Sequence, residues 1–376
     1  MDSVDNNIAT RKIEHIRLSL LDEVVVSDNC KQFYDEILLV HRALPGLDFR
    51  DVTLETSFLG YRLNAPLMIT GMTGGHKETY SINAALARVA NRFRIAIGVG
   101  SQRSMLVNRG DVEVTRTYRV VRDEAREVPV IGNIGANTLL DISVEDVVFL
   151  VEEIEADAIA IHLNPAQEVV QPEGDTRFSP IILEKVREIV RHINKPVIIK
   201  EVGFGLSMDV ARDFYSIGVK IFDVAGSCGT NWALVEALRH QERSARRDVG
   251  FLLRRWGIPT PLAVIETRSV APESIIIASG GVWDGLKGAM NLALGANIVG
   301  FARPALKAYA EGGVDAVSRF IERYIEELKT ILFLTGSREL KDLRKAPVVL
   351  GPIVQSYLAQ RGINPDYYLK IVRSIT

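Results

Sequence analysis

Several things this chain has little of narrow its class before any motif is read. Only two cysteines, Cys30 and Cys228, occur in 376 residues, so a disulfide framework is not expected and a reducing compartment fits the composition. No apolar run is long enough to cross a bilayer, and the opening MDSVDNNIATRK is polar and lacks the apolar core of a secretory leader. Neither sign of charge dominates. The formal net charge is -2 with 24% charged residues, which offers no general polyanion-binding surface and excludes nucleic acid as the expected partner. Low-complexity linkers are missing, as is any internal repeat longer than a strand and a helix. What is left is a cytoplasmic globular protein without a membrane partner, 47% hydrophobic, long enough for one large core or two smaller ones.

Short apolar, β-branched runs recur from Ala65 onward: APLMIT (65–70), IAIGVG (95–100), PVIGNIG (129–135), AIAIHL (158–163), PVIIKEV (196–202), IFDVAG (221–226), SIIIASGG (274–281) and NIVGFAR (297–303). Between them apolar residues fall at helical spacing, as in Ile82, Leu86, Val89 and Ala90, or Val147, Leu150, Val151 and Ile154, or Ile182, Val186 and Val190. Eight such units predict a (β/α)8 TIM barrel with an N-terminal extension and a C-terminal helical tail. A dinucleotide fold needs G-x-G-x-x-G after its first strand, and GMTGGHKETY follows Thr70 instead. The predicted division is an N-terminal segment over 1–64, the barrel over 65–330 and a helical extension over 331–376, packed on the barrel or on a neighbouring subunit. Within the first segment, residues 51–66 read as a hairpin turning at Gly60 that plugs the barrel floor. Residues 241–270 read as an insert carrying Arg243, Arg246, Arg247, Arg254 and Arg255, a solvated or subunit-facing basic patch.

Sites on this fold lie at the C-terminal ends of the strands. There the sequence places Met72, Thr73, Gly74, Ser101, Gln102, Arg103, Asn133, His162, Lys200 and the stretch Gly226–Trp232. The seventh and eighth runs end in Gly280-Gly281 and Ala302-Arg303. Those loops hold phosphate in many barrels, and the amides of Gly280 and Gly281, beside a helix opened by Asp284, would cradle one; tight turns alone are the other reading. Lys200 either stabilises negative charge on a bound ring or pairs structurally with Glu201, although strand alternation sends neighbours to opposite faces. Loop carboxylates such as Glu173 and Asp175 read as solvated, one in a site mouth as a Mg²⁺ ligand, and His162 as a core histidine.

The ordered motifs RKIEH (11–15), MTGG (72–75), GVGSQR (98–103), HLNPAQEVVQPEGD (162–175), GTNW (229–232) and ASGG (278–281) resemble the type 2 isopentenyl diphosphate isomerases, flavoenzymes with a (β/α)8 barrel. That resemblance implies interconversion of isopentenyl and dimethylallyl diphosphate in isoprenoid biosynthesis. It implies reduced FMN, Mg²⁺, NADPH or NADH as reductant, no net oxidation, and a homo-oligomer, tetramer or octamer. By similarity FMN would contact Met72, Thr73, Gly74, Ser101, Asn133, Lys200, Thr230, Gly280, Gly281, Ala302 and Arg303. The diphosphate would meet Arg11, Lys12, Ser101, Gln102 and Arg103 on a closing arm, with Gln167 at the alkene and Glu168 on Mg²⁺. Gln167 and Glu236 are the catalytic proton-relay candidates, with a surface position for Glu236 the other reading. Cys228 stands where the family has glycine. The alternative on the same scaffold is an FMN-dependent oxidoreductase of the hydroxy-acid oxidase type. It requires a His/Arg pair at a late strand end, and the sequence shows none.

Overall fold

Each of the eight apolar runs forms a strand, and most strands are shorter than the run, because the last residues leave the ladder to build a polar rim. The structure, a computed structural model, describes the backbone of residues 2–26 and 28–375 and, within these, the side chains of all but 2–10 and 28–29. Three strands fall outside the barrel before it begins: β1 (Ile37–Leu39), β2 (Thr56–Phe58) and β3 (Tyr61–Leu63). The barrel strands are β4 (Leu67–Ile69), β5 (Ala96–Gly98), β6 (Val130–Gly135), β7 (Ala158–Leu163), β8 (Val197–Glu201), β9 (Ile221–Asp223), β10 (Ile275–Ala278) and β11 (Ile298–Phe301). They close in chain order, with β11 returning to β4 through Val299 opposite Leu67, all parallel. Parallel strands covered by helices are buried on both faces, which is why these runs are continuously apolar rather than alternating.

The predicted helical stripes bury most of the residues that defined them, with Ile82 and Val190 half-buried at the edge of the core. Helix Val144–Glu153 turns Val147, Leu150 and Val151 inward and is started by Ser143, whose hydroxyl accepts from the Asp146 amide while Asp146 answers the Ser143 amide. Fully burying each such side chain contributes about 1.5–3 kcal/mol over leaving it exposed. The hairpin of β2 and β3 turns through Leu59 and Gly60, both at positive φ, and buries Phe58 and Leu63. Tyr61 donates to Asp157 Oδ1 at 3.1 Å, just before β7 starts.

Two sequence boundaries shift. The segment read as an insert ends before Thr260, because helix Thr260–Val270 is buried along most of its length and is the crossover from β9 to β10. Its basic residues are not all solvated, since Arg246 donates to the Gln171 and Pro172 carbonyls of the β7 loop. The tail is helical except for one strand: it starts inside helix Arg303–Leu334 and runs through helix Leu340–Lys345 to β12 (Val348–Leu350), paired antiparallel with β1, and then to helices Pro352–Gln360 and Pro365–Arg373.

The cysteine expectation is also corrected. Cys30 and Cys228 form a disulfide across 198 residues of chain. It joins the N-terminal segment to the loop after β9, where Val26 donates to the Gly229 carbonyl and Asn231 to the Val24 carbonyl. A bridge closing so long a loop restricts the unfolded chain, a stabilisation of at most about 5 kcal/mol in the chain-entropy picture. Cys30→Ser, or incubation with reductant, is therefore expected to lower the denaturation midpoint of the chain. Coincident midpoints for oxidised and reduced protein would show that the bridge does not constrain the unfolded state.

Candidate active site

The rim answers the glycine question in two parts. A Cβ at Gly280 would stand 2.1 Å from the Gly226 carbonyl oxygen, and one at Gly281 1.9 Å from that of Cys228; both glycines have positive φ. They are therefore required by the close approach of the β9 and β10 loops. Yet no protein acceptor takes either amide among the described residues, so both remain donors toward the cavity. The helix opened by Asp284 is not part of this cradle. Asp284 itself caps the Lys287 amide at 2.8 Å, and Glu327 takes the Gly285 amide at 2.7 Å. The donors left for an anion on this side would be the two glycine amides.

All eleven positions assigned to the cofactor line one cavity, partly open to solvent. Lys200 points into it, with Nζ 3.1 Å from Asp223 Oδ2 and 3.0 Å from the Glu201 carbonyl. Glu201 is not its carboxylate partner. The strand turns Glu201 outward, where Oε2 gathers the amides of Val202, Gly203 and Phe204 and braces the β8 loop. Burial, against those bonds, raises the Glu201 pKa to about 7. Asn133 Oδ1 lies 2.9 Å from His162 Nδ1, and burial, with Lys200 nearby, lowers the His162 pKa to about 3, so this ring is neutral. Arg303 reaches the cavity wall, but its guanidinium holds the Ser19 and Leu20 carbonyls and Asp22.

Helix Asp2–Ser19 already lies over the rim and is not an open arm. Lys12 Nζ meets only neutral oxygens: the Gly74 carbonyl, the Ser101 carbonyl at 3.3 Å, Ser104 Oγ at 3.2 Å and Tyr118 Oη at 2.5 Å. Burial, and then Arg11, pull its pKa down from 10.5 to about 7. Arg103, half-buried on the same wall, has no ion-pair partner among the described residues. Arg11 has only Glu173, at 3.5 Å. Cations left this poorly compensated mark a place for an anion. Gln102 is not brought here. Its side chain is fully buried, donating to the Leu150 carbonyl and accepting from the Asn133 amide, so it shapes the rim from behind.

On the opposite wall Gln167 donates to Glu236 Oε1 at 2.7 Å. Glu236 is fully buried, which removes the surface reading, and Arg239 holds its other oxygen at 2.7 Å while His15 Nε2 stands 2.9 Å away. Burial would raise the Glu236 pKa, but His15, Arg239 and Gln167 outweigh it and hold it at about 2. Glu168 accepts from Asn164 at 2.9 Å and from the Asp175 amide at 2.7 Å, and burial pushes its pKa up. Its four lone-pair positions are not exhausted by these bonds.

Sequence reasoning passed over His15, Asn164 and Asp223. His15 carried a signal, since it lies four residues after Arg11 and so shares its helix face. Asn164 had one too, standing beside Gln167 and Glu168 in the quoted loop; its Oδ1 is buried without a partner in the cavity wall. Asp223 had none, because its role depends on the strand next to it.

A family model described as FMN-dependent dehydrogenase matches residues 5–350. An isopentenyl-diphosphate delta-isomerase of Sulfurisphaera tokodaii is 42% identical over 96% of this chain and 97% of its own length. Another, of Methanothrix thermoacetophila, is 44% identical over 95% and 98%. The chain belongs to the FMN-dependent isopentenyl-diphosphate isomerases. Solved structures of mandelate oxidase share the barrel at lower likeness. One with benzaldehyde has a TM-score of 0.63, 19% identity and coverage of 93% of this chain and 98% of that one. The fold is common to both, whereas the isomerase relatives share the sequence. FMN is the cofactor named by that family model, and the residues lining this cavity fit it: the amides of Gly280 and Gly281 would take its phosphate and Lys200 would face its ring.

The lowered Lys12 pKa has a definite sign. Between about 7 and 10.5 the unfolded chain binds the proton that the folded one has released, so this group's contribution to stability rises with pH across that window. An anion bound beside Lys12 restores the ammonium, so binding takes up a proton there and affinity falls with rising pH, by up to about tenfold per unit. Calorimetry with inorganic pyrophosphate at pH 8.5, in two buffers of different ionisation enthalpy, is expected to show more proton uptake by wild type than by Lys12→Met. Equal uptake would remove Lys12 from the anion site.

Proposed function

We propose that this chain interconverts isopentenyl and dimethylallyl diphosphate, and that one juxtaposition carries the reading: Arg11, Lys12 and Arg103 line the same cavity as Gln167, which the buried Glu236 backs from outside it. Allylic isomerisation places a proton on the terminal alkene carbon and removes one from C2, with cation-like charge at C3 between the two events. Both need a dry cavity with fixed partners. Reduced FMN, when bound, supplies an electron-rich face and an exchangeable proton. Arg11, Lys12, Arg103 and Ser101 hold the diphosphate and thereby aim the alkene at Gln167. Glu236, a weak base at a pKa of about 2, fixes the Gln167 amide and places negative charge beside the developing cation. A proton leaving C2 on this side would reach Glu236 by way of the Gln167 amide.

Magnesium enters through Glu168. No cluster of three or more His, Cys, Asp or Glu that could hold a metal occurs among the described residues, so the ion would bridge one carboxylate to the substrate phosphates, its usual arrangement. NADPH or NADH as reductant and a place in isoprenoid biosynthesis follow from the same reading. A cytoplasmic location rests on that chemistry alone, since the Cys30–Cys228 pairing withdraws the cysteine argument. A homo-oligomer is supported by Phe251, Leu252 and Trp256, which are 44%, 76% and 65% exposed within one short stretch.

Isomerisation leaves the oxidation level of the substrate unchanged. Under anaerobic conditions, with Mg²⁺ and one reducing equivalent per FMN, many molecules of dimethylallyl diphosphate are expected for each equivalent supplied. Reductant consumed in step with product would instead assign an oxidoreductase. For the metal, Glu168→Gln is expected to lower turnover by at least about tenfold and to raise the Mg²⁺ requirement while the fold survives. An unchanged Mg²⁺ dependence in that variant would move the ion to another ligand.

A further inference from the structure

Lys200 is an ammonium on the inner face of a barrel, 12% exposed, and something must hold both its charge and its position. Three N–H donors are available on it. Two are taken by the protein, one by the Glu201 carbonyl at 3.0 Å and one by Asp223 Oδ2 at 3.1 Å, and the side chain lines the cavity. Asp223 does not line that cavity. Its side chain is 2% exposed and lies directly across the β8–β9 ladder from Lys200. Its second oxygen accepts from the Ser279 hydroxyl. Ser279 immediately precedes Gly280 and Gly281, whose amides form the phosphate cradle, and its own carbonyl takes the Gly226 amide at 2.9 Å.

We propose that Asp223, anchored by Ser279, is a positioning residue that holds the Lys200 ammonium in place against the flavin ring. One buried carboxylate thereby links the ring end of the cofactor site, through Lys200, to the phosphate end, through Ser279 and the glycine pair. The cross-strand pairing makes this linkage rigid, because Asp223 sits between Lys200 on β8 and Ile277 on β10 in register. A cation fixed at the ring favours the form of the flavin that carries more negative charge, so the protein holds reduced FMN more tightly than oxidised FMN. Asp223 touches neither cofactor nor substrate, and it acts only through Lys200.

The inference rests on the reading of the cavity as an FMN site, and the experiment separates the two. The dissociation constants of oxidised and reduced FMN are measured anaerobically for wild type, Asp223→Asn, Lys200→Met and the double variant. Wild type is expected to prefer reduced FMN. Asp223→Asn is expected to lose about tenfold of that preference while oxidised FMN still binds through the glycine amides, and the double variant to lose no more than Lys200→Met alone. A merely structural role would weaken both oxidation states equally and add to the Lys200→Met effect, and that result overturns the proposal. So does a wild type that binds both forms equally. A wild type that binds no FMN in either state refutes the cofactor reading itself, a different and recognisable failure. Should Asp223→Asn not fold, Ser279→Ala removes one anchor of the carboxylate with little change in volume. It is expected to move the preference in the same direction, and an unchanged ratio there counts against the linkage.

Discussion

The site depends on the pairing of residues 24–26 with the loop after β9. Val26 and Asn231 exchange bonds with Gly229 and Val24, and Cys30 is bridged to Cys228 beside them. That pairing fixes the end of helix Asp2–Ser19, and Arg303 fixes it again by gripping the carbonyls of Ser19 and Leu20. The helix then has little choice but to cross the rim, carrying Arg11, Lys12 and His15 to their positions. A closed barrel has no free sheet edge and a dry interior, so its polar chemistry has to assemble at one end. Here one wall of that end is supplied by residues that precede the barrel in the chain.

Charge is distributed unevenly across the cavity. Lys12 meets hydroxyls and carbonyls, and Arg103 has no ion-pair partner among the described residues, an arrangement that a bound diphosphate would complete. On the Glu236 side the carboxylate is fully compensated by Arg239, His15 and Gln167 before anything binds. The first wall therefore binds, through groups left wanting, and the second orients, through groups already satisfied. Arg239 also reaches Glu173 at 3.0 Å and Glu14 at 3.0 Å, so the same network ties the β7 loop and the N-terminal helix to the relay. Loss of Arg239 would disturb all three at once, which is why the relay and the closure of the site are one structural unit.

The barrel was legible because its strands are buried on both faces, and continuous apolar runs separated by helical stripes leave few other architectures. The rim was legible where a residue's role is set by its own strand end, as with Asn133, Lys200 or Gly280. What could not be read depends on contacts between distant segments. The pairing of β1 with β12 involves three residues on each side, too short for a periodic signal. The Cys30–Cys228 bridge spans 198 residues, and composition argued against it. Lys200 was weighed against Glu201, its sequence neighbour, whereas the partner is Asp223, its neighbour across the ladder. Gln102 misled in the opposite sense. It stands in a binding motif between two cavity residues, Ser101 and Arg103, yet its side chain is directed to the Leu150 carbonyl behind the rim.

The likeness to mandelate oxidase is a likeness of scaffold, and the end of the barrel shows why the chemistry need not follow. Abstracting a proton from a hydroxy acid calls for a base with an adjacent arginine to clamp the carboxylate. At the late strand ends this chain has Asp223, Ser279, the Gly280–Gly281 pair and an Arg303 that grips backbone carbonyls. Of the two histidines that line the cavity, His162 is on β7, bonded to Asn133 and neutral, and His15 is on the N-terminal helix, against Glu236. What the chain places there instead is a cationic corner with no carboxylate opposite Lys12 and a carboxylate relay with no free cation. That asymmetry suits a substrate whose anion is remote from its reacting carbons, because the charge is captured at one wall while the uncharged alkene is left facing the other.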